Sequence, residues 1–138
     1  MAFKCTGFDK PPTPSQLPPD VIKKECDGER TSCLLWEYDL NGDDLKFKTR
    51  MLVRNDLTKK ELSDVLDHER QHWRDFNRRA IALKDAVEQA IKAGKDPALV
   101  ERLDWMKYDY CTDSAAFHRR IERFPIAVCF KPSSDRPR

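Results

Sequence analysis

No stretch of the 138 residues approaches the roughly 18 consecutive apolar residues that a membrane-spanning helix needs. The N-terminus also lacks the apolar core of a signal peptide, so the chain as written reads as soluble. A secreted or periplasmic location stays open, because a leader can be lost from a mature chain. An excess of one charge is missing too: 26 Lys and Arg against 24 Asp and Glu leave a formal +2, spread without a basic block or an aromatic-basic repeat. Nucleic-acid binding therefore has no footing. The five cysteines include no C-x-x-C pair, which argues against a structural zinc ribbon. "CDGERTSC" can close a short disulfide between Cys26 and Cys33, as in an exported protein, or can hold free thiols. An odd count leaves at least one cysteine unpaired or joined to another chain. Histidine is scarce, with only His68, His72 and His118.

Hydrophobic residues make up 39% and charged residues 36%, so a core must be gathered from amphipathic elements in what is long enough for one domain. Residues 1–30, with "KPPTPSQLPPD", read as a Pro-rich arm, 31–130 as the folded domain and 131–138 as a flexible tail. Alternation predicts a β-hairpin. Leu34, Trp36, Tyr38 and Leu40 share one side of the first strand, Leu45, Phe47, Thr49, Met51 and Val53 one side of the second, and Asn41-Gly42 provides the turn. Thr58 and Glu61 form a capping box, after which Leu62, Val65, Leu66, Trp73, Phe76, Ala80, Leu83, Val87 and Ile91 recur at helical spacing until Gly94. A second helix is expected from Asp96-Pro97 to Phe124-Pro125, with its stripe running through Leu103, Met106, Phe117 and Ile121. The short "GKD" link implies an antiparallel helical hairpin, and "IAVCF", 126–130, adds a short strand. The resulting fold class is α+β, a long antiparallel helical hairpin on a small antiparallel sheet.

Inside the first helix stands "HERQH", His68 to His72, in the order H-E-x-x-H. At about 100° per residue, Glu69 falls in the middle of the apolar stripe, where an unpaired carboxylate is costly to bury. His68 and His72 project from one flank and can reach one ion. Two imidazoles at i and i+4 supply two zinc ligands, while the intervening glutamate polarises a water that the zinc acidifies. The bland alternative is a pair of partly exposed histidines beside a buried polar network.

A catalytic zinc usually takes a third protein ligand, which the second helix is expected to supply. Asp113 lies at the edge of that helix's stripe and Asp109 one turn earlier; one can bind while the other orients a histidine. His118 becomes the candidate if the helix kinks near Thr112. Tyr108 is the candidate oxyanion donor, since Tyr110 lies on the core stripe.

The H-E-x-x-H helix followed by "YDYCT" resembles the zincin metallopeptidases. More narrowly, it resembles a family of small bacterial proteins of unknown function, predicted zinc-dependent proteases, in which a Y-D-x-x-T segment follows the motif. Tyr108, Asp109 and Thr112 match that segment. The resemblance covers roughly residues 31–124 and departs after Thr112, where that family commonly continues into His-Gly and this chain has "DSA". It implies a zincin-like minimal domain with one zinc ion and a protein or peptide substrate, whose backbone pairs with the hairpin's outer strand. The alternatives are a non-catalytic zinc-stabilised interaction module and a secreted toxin or effector protease with one protein target.

Overall fold

The computed structural model describes residues 2–26, 30–121 and 129–138, and for 116–121 the backbone alone. The chain divides into two compact units, Met1–Asn77 and Arg78–Arg138. In order, the elements are β1 (Lys4–Thr6), β2 (Ser15–Leu17), α1 (Pro19–Glu25), β3 (Ser32–Asn41), β4 (Asp44–Arg54), α2 (Lys59–Lys92) and α3 (Leu99–Ile121).

In the first unit every other strand pairs with β4. The expected hairpin forms: β3 runs antiparallel to β4 from Ser32↔Val53 to Asn41↔Asp44. Its loop is one residue later than expected, Gly42-Asp43, with Gly42 at φ +61° and Asn41 still in the ladder. A glycine at the first of two loop residues gives the backbone twist a tight hairpin requires. With β3 along one edge of β4, the other edge takes two short strands end to end. β1 lies against its start, Lys4↔Asp44, and β2 against its end, Ser15↔Leu52, both parallel.

The expected antiparallel sheet is thus incorrect, since two of β4's three pairings are parallel. The Pro-rich arm is the reason. Two proline-free triplets, "KCT" ahead of the prolines and "SQL" between Pro14 and Pro18, keep the N–H donors that a ladder needs. The arm also carries α1, which begins at a proline, the position where a helix has no use for the missing N–H.

Alternation along β3 and β4 assigns a core to each face of the sheet. Leu34, Phe47, Met51 and Val53 are buried toward one side, where the Phe76 ring of α2 sits 5.2 Å from Trp36 and 5.3 Å from Phe47. On the other face Cys33 and Leu52 pack with Ile22 and Cys26, flanked by Leu17 and Leu35. Cys26 and Cys33 are disulfide-bonded, closing a loop with a sequence separation of 7, and Cys5 is buried and outside the disulfides.

The start of α2 is as expected. Thr58 Oγ1 accepts the Glu61 N–H at 3.2 Å, and Glu61 Oε1 accepts the Thr58 N–H at 3.0 Å. Gly94, at φ +68°, follows its end. In the second unit, Ala80, Leu83 and Val87 of α2 and Leu103, Trp105, Met106 and Ala115 of α3 are buried. No helical hairpin forms among the described residues, because α2 and α3 do not run side by side in close backbone approach. Long side chains meet instead, and a cavity of about 270 Å³ lies between Ala82, Leu83 and Ala86 on α2 and Trp105 and Met106 on α3. α3 also begins later than expected: Asp96 accepts the Ala98 N–H, Ala98 sits at φ 49°, and the helix starts at Leu99. Cys111 and Cys129 form a second disulfide. The expected strand at 126–130 and the Phe124-Pro125 stop lie outside the described residues, except for Cys129 and Phe130, as do the side chains of Phe117 and Ile121. No helix of the described residues is long and apolar enough to cross a membrane.

Gly7 joins β1 to the aromatic cluster at φ +89°, where a Cβ would stand 2.0 Å from the Phe47 carbonyl oxygen. A side chain there would meet both a backbone clash and a left-handed conformation. Gly7→Ala is expected to lower unfolding stability by on the order of 2–4 kcal/mol, read from the urea midpoint. An unchanged midpoint would mean that the β1–β4 pairing contributes nothing.

Candidate metal centre

The centre is built on α2 within the first unit. The capping box sets the helix start, and the apolar stripe turns one face toward the sheet, so Glu69 is carried inward with Phe76. Glu69 is 2% exposed, while its stripe neighbours Val65 and Trp73 are only partly buried. His72 is 6% exposed, and the His68 side chain 13%. The chain thus places a carboxylate at one of the deepest points of this face of α2.

That carboxylate is held from across the sheet. Ser32 Oγ, at the start of β3, donates to Glu69 Oε2 at 3.1 Å. The other oxygen, Oε1, lies 4.0 Å from His68 Nε2. Each oxygen therefore has a separate environment, one taken by a hydroxyl and one turned toward the imidazoles. Ser32 was not among the expected site residues. The strand alternation contains the signal, because Ser32 precedes Leu34 by two and so shares its face.

His68 and His72 stand one helical turn apart with ring centroids 4.7 Å apart and planes at 76°. Their Nε2 atoms are 3.1 Å apart. In the metal-free chain one ring can donate this hydrogen bond to the other. Two nitrogens bound to one zinc at ~2.0–2.1 Å in tetrahedral geometry stand about 3.3 Å apart, so the pair fits the ion with almost no rearrangement. Burial, aided by the Arg30 charge, lowers His68 below its ordinary value of 6.5 and favours the neutral ring that metal ligation requires. Donor atoms of His68, Glu69 and His72 all lie within 4.8 Å of one another; no other group of three or more His, Cys, Asp or Glu among the described residues is so arranged.

The residues expected to complete the centre belong to the second unit. Both oxygens of Asp109 are engaged by the Arg136 guanidinium, at 2.6 and 3.0 Å. Arg79 donates to Asp113. Tyr108 packs its ring edge-on against Trp105, with centroids 5.7 Å apart. Thr112 Oγ1 donates to the Asp109 carbonyl at 3.1 Å, so that side chain is turned back onto its own helix. The side chain of His118 lies outside the described residues.

The location of Glu69 makes a stability prediction. A carboxylate buried on an apolar face is a poor exchange for packed hydrocarbon, so Glu69→Leu is expected to raise the thermal midpoint of the metal-free chain, by up to about 2 kcal/mol of stability. A lowered midpoint would identify Glu69 as a structural keystone. A second expectation concerns Asp109. The hydrogen bond from Arg136 holds its carboxyl below the ordinary value of 3.8, against the effect of partial burial. Because the folded value is depressed, this pair is at full strength above pH 3.8 and is lost as the pH falls through the lowered value. Arg136→Ala should move the Asp109 carboxyl titration upward by NMR, whereas an unmoved midpoint would exclude the pairing in solution.

Comparison with known protein families, curated proteins and solved structures returned no match, which leaves the geometry of this centre as the ground for assigning a function.

Proposed function

We propose that the chain is a zinc-dependent hydrolase of peptide or amide bonds, with His68 and His72 as two ligands of one ion and Glu69 as general base. The observation that carries this reading is a buried glutamate set between two histidines whose Nε2 atoms lie 3.1 Å apart. When bound, zinc acidifies a water and polarises the scissile carbonyl. The chain's own part is positional and acid–base. The α2 backbone fixes the two imidazoles one turn apart. Ser32 donates to Glu69 Oε2, and Oε1, on the histidine side, is the oxygen to take the proton of the attacking water and return it to the leaving amine. Burial of the carboxylate keeps competing water away.

One observation favours a second reading. Glu69 is 2% exposed and already holds a hydroxyl partner, as a glutamate in a non-catalytic zinc-stabilised module would. Metal analysis joined to hydrolysis separates the two. The purified chain is expected to bind one equivalent of zinc, and His68→Ala and His72→Ala to lose it. Glu69→Gln should retain the metal while casein or peptidoglycan-peptide hydrolysis falls by about 10²–10⁴-fold. Zinc bound with no hydrolysis by either form supports the module, and no zinc at all removes both readings.

A further inference from the structure

Arg136 and Arg138 lie against α3. Arg136 forks both oxygens of Asp109 and stacks over the Trp105 ring, 4.2 Å from its centroid. Two residues on, the Arg138 carbonyl accepts from Arg102 at 2.8 Å, and the Pro97 carbonyl accepts from Arg102 Nε at 2.7 Å, which anchors that guanidinium. A carboxylate for a guanidinium, an aromatic face beneath it and a fixed donor for a backbone carbonyl are the parts from which proteins build arginine-peptide recognition.

The tail fills this arrangement only in part. Beside Arg136 and Pro137 the cavity of about 270 Å³ stays open, with Leu83, Met106 and Trp105 among its walls. Proline is too short to occupy it. The pair itself is surface-lying, with the Arg136 side chain 56% exposed, so the contact is weak on its own. It is supported by tethering, since the Cys111–Cys129 disulfide holds the tail seven residues from Arg136 and keeps its local concentration high.

We propose that Asp109, Trp105 and Arg102 form a peptide-docking site whose occupant is an extended segment of another polypeptide carrying an arginine followed by a large apolar side chain, with the chain's own residues 136–138 as a weak placeholder. Arginine supplies the fork and the stack, and the apolar side chain fills the cavity that Pro137 leaves. The site is independent of metal binding at His68 and His72.

The test uses the full-length Arg136→Ala chain with both disulfides intact, titrated calorimetrically with acetylated, amidated hexapeptides. SSDRFR is expected to bind saturably, at least fivefold tighter than SSDRPR and at least tenfold tighter than SSDKFR. The unmutated chain should bind SSDRFR at least tenfold more weakly than the variant, because the tail competes. Asp109→Asn on the variant background should abolish binding. The proposal is overturned if the variant binds none of these peptides, or binds all three alike. Should Arg136→Ala fail to fold by circular dichroism, the unmutated chain at millimolar SSDRFR is read by NMR. Displacement of the Arg136 Nε–H resonance supports the site, and an unmoved resonance overturns it.

Discussion

The first unit rests on β4. It is the one strand to which each of the others is hydrogen-bonded, and both of its faces are covered, by α1 on one side and by the Phe76 region of α2 on the other. A strand with both edges and both faces occupied has little freedom to shift register, since a slip of one residue would exchange its two buried sets. That rigidity reaches the His68–Glu69–His72 cluster through β3, whose ladder with β4 fixes where Ser32 stands and so where Glu69 is met.

Around that frame the polar residues divide by unit. The first holds the histidines and the glutamate, a group of donors gathered by one helical turn and one strand terminus. In the second, two acidic residues of α3 each meet an arginine, Asp109 meeting Arg136 and Asp113 meeting Arg79. The two arrangements differ in chemistry. An imidazole pair offers nitrogen donors, whereas a forked carboxylate already has its charge balanced.

What was legible in the sequence follows from how local the determining physics is. The capping box, the hairpin and the Glu69–histidine geometry all depend on residues within one or two turns or on strict alternation, and all are seen in the structure, the loop displaced by one residue. The parallel strands were not legible. A three-residue strand such as "KCT" has too few positions to show a period, and its partner lies some 40 residues away, a distance at which pairing is set by topology. The helical hairpin failed for a related reason. A short connection suggests antiparallel neighbours, but it does not fix how near the axes come when Trp105, Met106 and arginines stand between them. Asp109 and Asp113 were read as candidate metal donors from their spacing and their place at the edge of the stripe, and neither feature shows that a guanidinium lies beside each carboxylate.

Ser32 and Cys33 are neighbours on β3 with side chains on opposite faces. One reaches Glu69 and the other is joined to Cys26 at the end of α1. One short stretch of β3 therefore serves both faces of the sheet at once, carrying a covalent link to α1 on one and a polar contact to α2 on the other, each set in place by the same ladder with β4.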